Sequence, residues 1–150
     1  MVDEQFRQLE REMGLLLRRA QASSASISKL VHPDLEPAAY SLLAMIAATP
    51  GVRASDLAAN IGVGRGTMSR QLARLGELGL VSRRPDPDDY RGQLLDLTDV
   101  GRQRFETAQG ARRAFFRKAL GGWTDDDIGS FAAQIARLNA DLAAARESKS

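Results

Sequence analysis

The stretch Gly64-Arg65-Gly66-Thr67-Met68-Ser69-Arg70-Gln71-Leu72-Ala73-Arg74 repeats guanidinium, hydroxyl and amide groups at helical spacing. A planar guanidinium grips phosphate, or guanine O6 and N7, through two parallel hydrogen bonds. A glutamine amide pairs with adenine, and a threonine methyl meets thymine. Gly64 and Gly66 leave the start of the stretch uncrowded, so backbone N–H groups can approach a phosphate. This is the chemistry of binding a polyanion. Catalytic sets are missing: cysteine is absent and His32 is the one histidine. That excludes thiol nucleophiles, thiol redox sensing, disulfides and the usual His/Cys zinc set. There is no nucleophile elbow and no phosphate-binding glycine motif; Gly62, Gly64 and Gly66 have the wrong spacing for one. No enzymatic activity, metal or cofactor is expected.

The charge layout points the same way. The 150 residues carry a formal net charge of only +2, yet basic residues are 18 Arg against 3 Lys. Residues 53–84 hold six Arg against two acids, whereas residues 85–99 hold one Arg against five Asp. A basic block inside a balanced chain implies a localised anionic partner. A salt-bridged, solvated face is the alternative.

These residues need a scaffold, and the apolar pattern supplies one. Phe6, Leu9, Met13, Leu16, Leu17, Ala20, Ile27 and Val31 share a helical stripe that Pro33 ends. The small residues Ser23–Ser26 within it imply either a bend or a close packing contact. A second helix is predicted over 36–49, closed by Pro50-Gly51. Two short helices over 54–60 and 65–78 follow, joined by a glycine-rich turn, with Met68, Leu72 and Leu75 facing inward. Gly79 should stop the second of them, with Leu80 folding back on Leu75. Strands are predicted at 80–84 and 93–97, joined by the loop Pro85–Gly92. Thr98 should cap a helix reaching about Leu120. Thr124 and Asp127 should form a capping box for the last helix. Two helices meeting at a glycine corner read as a helix-turn-helix, whose second helix enters the major groove. The bland reading is a helical hairpin with a polar face.

The block LAANIGVGRGTMSRQLARLGELGLVSRR, followed by the pattern D-x-R-G-x-x-x-x-L-T-x-x-G, resembles the MarR family of winged helix-turn-helix regulators. The pattern falls on Asp89, Arg91, Gly92, Leu97, Thr98 and Gly101. The resemblance covers essentially the whole chain. It implies a mainly α fold with a small β-hairpin wing, in which a winged helix-turn-helix core is flanked by dimerisation helices. It assigns residues 36–104 to DNA binding, and 1–32 with 105–150 to dimerisation. DNA contacts fall to Arg53, Gly64, Arg65, Gly66, Thr67, Ser69, Arg70, Gln71, Arg74, Arg84, Asp89 and Arg91. Arg91 would enter the minor groove from the wing tip, and Asp89 would brace the wing by pairing with a neighbouring Arg. Arg53 stands where many relatives have a Ser or Thr cap, and is assigned a phosphate contact instead.

The same resemblance implies a homodimer reading a pseudo-palindromic operator in double-stranded DNA. Phe6, Leu9, Met13, Ile128, Phe131, Ile135, Leu138 and Leu142 are assigned to the interface; packing within a monomer is the alternative. It implies a repressor of neighbouring genes, released by a small lipophilic or phenolic effector near His32 and Tyr40. Both residues have plainer readings, as a helix-end and a core residue. A protein-interaction module and a non-sensing DNA-binding protein are the competing functions. The acidic, polar N-terminus carries no secretory signal and no apolar run reaches about 18 residues, so a cytoplasmic protein without a membrane anchor is expected.

Overall fold

The computed structural model describes residues 1–148. In chain order it forms α1 (Val2–Val31), α2 (Ala39–Ala48), β1 (Val52–Arg53), α3 (Ala54–Ile61), α4 (Arg65–Glu77), β2 (Val81–Asp86), β3 (Asp89–Leu97), α5 (Asp99–Ala119) and α6 (Asp125–Glu147). No helix among the described residues is long and apolar enough to cross a membrane. Two compact units divide within α5, one spanning residues 1–112 and the other beginning at Arg113.

The first unit holds the core. Leu42, Leu43 and Ile46 of α2 are buried together with Leu57 of α3, and with Met68, Leu72 and Leu75 of α4. Leu80, Val81, Leu95 and Leu97 bring the sheet into the same cluster, and Phe105 and Ala108 bring α5. Only the C-terminal end of α1 joins it, through Ile27, Ser28 and Val31. α1 runs unbroken through Ser23–Ser26. Ser28 is fully buried and serves the next helix: its hydroxyl accepts from the Tyr40 N–H at 3.2 Å and donates to the Pro37 carbonyl at 3.2 Å. α2 therefore starts at Ala39, later than residue 36, because Glu36–Ala38 form the preceding turn.

The sheet has the order β1-β3-β2, antiparallel throughout. It is larger than the sequence suggests. Pro85 and Asp86 belong to β2, with Pro85 opposite Gln93, so the long loop expected over 85–92 shrinks to a tight turn at Pro87-Asp88. Proline is tolerated there because β2 is an edge strand. β1, a two-residue strand pairing Val52 with Leu95 and Arg53 with Leu94, has no counterpart in the sequence reading.

α4 ends as expected. Gly79 adopts φ +72, its N–H reaches the Gly76 carbonyl at 3.0 Å, and the Leu80 N–H reaches the Leu75 carbonyl at 3.0 Å. This is a Schellman closure. Thr98 caps α5, accepting the Gly101 N–H at 2.9 Å, while its hydroxyl donates to the Gly79 carbonyl at 2.6 Å. At Gly101 the chain passes so close to Leu80 that a Cβ would strike its backbone carbonyl.

In the second unit, Trp123 packs edge-on against Phe131 at 5.6 Å, and the Thr124–Asp127 capping box forms as expected. Hydrogen bonds from Thr124, backbone first and side chain second, hold the Asp127 carboxyl below its ordinary value of 3.8. A lowered folded value means that the cap contributes stability above the unfolded carboxylate range and loses it as pH falls through the folded value. Exchange protection of the Thr124 amide, corrected for intrinsic rate, should hold at neutral pH and drop on acidification, whereas Asp127→Asn should flatten the profile.

Gly101→Ala should destabilise by about 1–3 kcal/mol, because the obstacle is backbone and cannot rotate away. A thermal melt should show Tm lowered by about 2–4 °C per kcal/mol.

Candidate nucleic-acid interface

α4 is amphipathic by construction. Met68, Leu72 and Leu75 recur at three- and four-residue spacing and are buried, which turns Arg65, Gly66, Ser69 and Arg70 to solvent. Its N-cap, Gly64, has no side chain to satisfy the first-turn N–H groups, and a Cβ at Gly64 or Gly66 would meet nothing within 4 Å. The start of the helix is thus an open, positively polarised end flanked by a guanidinium.

The arginines assigned to DNA divide into two sets. Among the described residues, Arg65, Arg70 and Arg91 are in no ion pair. Arg53, Arg74 and Arg84 are committed within the fold. Arg84 Nε donates to Asp96 Oδ2 at 3.3 Å, and Asp96 Oδ1 in turn accepts the Gly51 N–H at 2.8 Å. Arg74 reaches Glu77 at 3.5 Å and Asp34 at 4.0 Å. Gln71 and Thr67 are half-buried. Gln71 and Arg74 line a narrow crevice beside Leu35, Ala39 and Leu42, on the flank of α4.

Arg53 differs most from expectation. It is the N-cap of α3 without a side-chain capping bond, so the cap is indeed forgone. Its guanidinium, however, points to the wing: Nε meets Asp86 Oδ2 at 2.7 Å and Nη2 meets Asp88 Oδ2 at 3.4 Å. Bracing of the wing therefore falls to Asp86, whose side chain is 2% exposed, rather than to Asp89. Asp89 instead accepts the backbone N–H of Arg91 at 3.0 Å, which shapes the tip. The pair 53/86 is remote in sequence, so no local spacing signals it.

Arg91 stands at the exposed end of β3. Its Nε donates to the Tyr90 hydroxyl at 3.1 Å, and its guanidinium lies 5.4 Å from the Tyr90 ring centroid. Tyr90, 84% exposed, was missed by the sequence reading; an aromatic next to a wing-tip Arg was the available signal.

The effector candidates are placed less openly. Tyr40 is 5% exposed, stacked against Phe105 at 5.4 Å and under Arg112 at 5.1 Å. His32 is the C-cap of α1, and its Nδ1 accepts the Asp34 N–H at 3.1 Å. The crevice beside Ala39 measures about 20 Å³, far below the several hundred of a ligand site.

A helix-turn-helix, an open-ended arginine helix and a paired-strand wing define a winged helix-turn-helix protein. Residues 34–92 match the model of the MarR family. The HTH-type transcriptional regulator YxaD of Bacillus subtilis is 28% identical over 131 residues, which cover 87% of this chain and 90% of that protein. YdgJ of the same organism is 33% identical over 79 residues, 53% of this chain and 48% of that one, so this chain spans about half the length of that relative. A crystal structure of a mutant MarR from E. coli, complexed with operator DNA, superposes with a TM-score of 0.71 at 21% identity, covering 92% of this chain and 98% of that one. Residues 34–92 thus match the MarR family of transcriptional regulators, and the chain shares the fold of the solved MarR structure along most of its length.

Arg70→Ala should leave thermal stability within about 0.5 kcal/mol of wild type, since Arg70 holds nothing in the fold. The same change should weaken duplex binding by about 1–3 kcal/mol in a titration at fixed salt. Unchanged affinity would remove α4 from the groove.

Proposed function

We propose that the protein is a homodimeric repressor that binds a pseudo-palindromic operator near its target genes in the cytoplasm and is released by a small lipophilic or phenolic effector. In this reading residues 36–104 read DNA, while 1–32 and 105–150 join two copies. α4 enters the major groove, with Arg65 and Arg70 on base edges or phosphate, Thr67, Ser69 and Gln71 as adaptable contacts, and the Gly64–Gly66 backbone on phosphate. Arg91 enters the minor groove, where narrow A-tracts concentrate negative potential. Arg53, Arg74, Arg84 and Asp89 support these contacts from within the fold. The observation that carries the reading is the division among the arginines: the chain leaves Arg65 and Arg70 unpaired on the outer face of α4 while pairing others within the same unit. The operator complex of the E. coli MarR mutant supports it by likeness.

Dimerisation is supported by apolar faces that lack cover. Phe6, Leu9, Leu16 and Leu17 of α1 are exposed, and Met13 is half-buried. α6 has no buried residue, and Ile128, Phe131 and Leu142 are exposed along it, with Ile135 and Leu138 half-buried. Contiguous apolar stripes of this kind mark interaction surfaces. A second copy also sets two recognition helices about 34 Å apart, one turn of DNA.

Light scattering at micromolar concentration should give a dimer mass, and Leu138→Asp should give a monomer that no longer binds duplex. Log affinity should fall linearly with log salt, with slope about −0.9 per phosphate neutralised. A phenolic acid at a hundred times its Kd should stabilise the fold by about 2.7 kcal/mol and release DNA. No thermal shift across such compounds would favour a non-sensing regulator.

A further inference from the structure

We propose that the Arg53–Asp86 ion pair is a positioning device that sets the wing on the helix-turn-helix, and so determines whether Arg91 reaches the minor groove. The proposal rests on the DNA reading above.

One end of the pair lies at the first boundary of the helix-turn-helix. Arg53 is both the last residue of β1, paired with Leu94 of β3, and the N-cap of α3. The other end lies at the last residue of β2, where the ladder shifts register between Pro85 and Asp86. Asp86 is the one charged residue buried among the described ones. Its two oxygens do different jobs. Oδ2 takes the Arg53 Nε at 2.7 Å, while Oδ1 accepts the Asp88 N–H at 2.9 Å across Pro87 and so closes the turn. Gly92 seats its backbone against this carboxylate: a Cβ there would lie 3.3 Å from the Asp86 Cβ and 3.4 Å from Oδ2. Arg91 immediately precedes Gly92. The backbone carrying the wing-tip guanidinium is therefore laid directly on the pinned side chain.

Charge gives the pair a second purpose. Asp86, Asp88 and Asp89 would repel a phosphate backbone from the tip that must approach it. The Arg53 fork neutralises two of them at once, by Nε on Asp86 and Nη2 on Asp88. A lysine ammonium, as a point charge, cannot reproduce that two-pronged geometry. A buried carboxylate with its partner removed is strongly unfavourable, so the wing would have to move to rehydrate Asp86.

A double-mutant cycle on a duplex selected by the wild-type dimer from a random pool tests this. Arg91→Ala should weaken wild-type binding about tenfold, equivalent to about 1.4 kcal/mol. In an Asp86→Asn background, which keeps an acceptor for the Asp88 N–H but discharges the pair, Arg91→Ala should cost less than about twofold, while Arg70→Ala costs the same as before. General destabilisation would not separate the two arginines in this way. Arg53→Lys, which retains the charge, gives an intermediate coupling and serves if Asp86→Asn fails to fold. Equal costs of Arg91→Ala in all backgrounds overturn the positioning role and leave DNA binding intact. A wild-type dimer that selects no duplex overturns the DNA reading, and this proposal with it.

Discussion

The peptide at Leu80 is where four elements meet. Its N–H closes the end of α4 on Leu75, and its carbonyl accepts the Thr98 N–H at 3.0 Å. Thr98 in turn donates its hydroxyl to Gly79 and receives the Gly101 N–H, while Gly101 lies against the Leu80 backbone. Leu80 itself is fully buried. The end of α4, the entry to the wing, its exit and the start of α5 are thereby fixed to one another within a few ångströms. A backbone junction of this kind is stiff, because peptide planes offer no rotamers to absorb a shift. Leu97-Thr98-x-x-Gly101 is thus a structural signature: a core leucine, a cap that bonds to two elements, and a residue without the side chain that would force them apart. α4 and the wing are held to one another because they share this joint.

The wing is acidic, which the proposed contact with DNA must accommodate. The fold resolves this by assigning each carboxylate a donor: Asp86 and Asp88 share Arg53, and Asp89 takes the Arg91 amide. The carboxylates then act as internal braces, and Arg91 projects beside Tyr90 as the positive group at the tip. The basic block contributes less free charge than its six arginines imply, since Arg53, Arg74 and Arg84 are spent within the protein. Of the three that remain, Arg83 lies on β2, while Arg65 and Arg70 lie in the first two turns of α4, where the helix dipole adds to their charge.

Much of this was legible in the sequence, for reasons that are local. The Schellman closure at Gly79-Leu80, the Thr98 cap and the Thr124–Asp127 box each depend on residues a few positions apart, and the inward stripe of α4 follows from helical spacing alone. The failures are of one kind. The two-residue β1 has no pattern long enough to detect and exists because β3 offers an edge. Pro85 and Asp86 read as loop residues, yet the edge position tolerates the proline and Arg53 draws the aspartate inward. Asp89 was given the bracing role because the D-x-R pattern marks it. The carboxylate that does so pairs with an arginine 33 positions earlier, and that information belongs to the tertiary fold. Gln71, beside Leu75 on the helical wheel, is half-buried at the crevice by α2.

The exposed apolar stripes have the opposite character: their periodicity is plain in the sequence, but what covers them is not contained in one chain. α1 makes the contrast within a single helix. Its last turns bury Ile27, Ser28 and Val31 in the core of the first unit, while Phe6 and Leu9, on the same stripe, stand in solvent. A helix extended several turns beyond what its own core can cover gains nothing from those added apolar residues in isolation, since leaving a large apolar side chain in water forfeits about 1.5–3 kcal/mol each. α6 repeats the pattern over its whole length. What covers these stripes is not contained in the described residues, and a second copy, which carries stripes of matching apolar character, is the occupant proposed above.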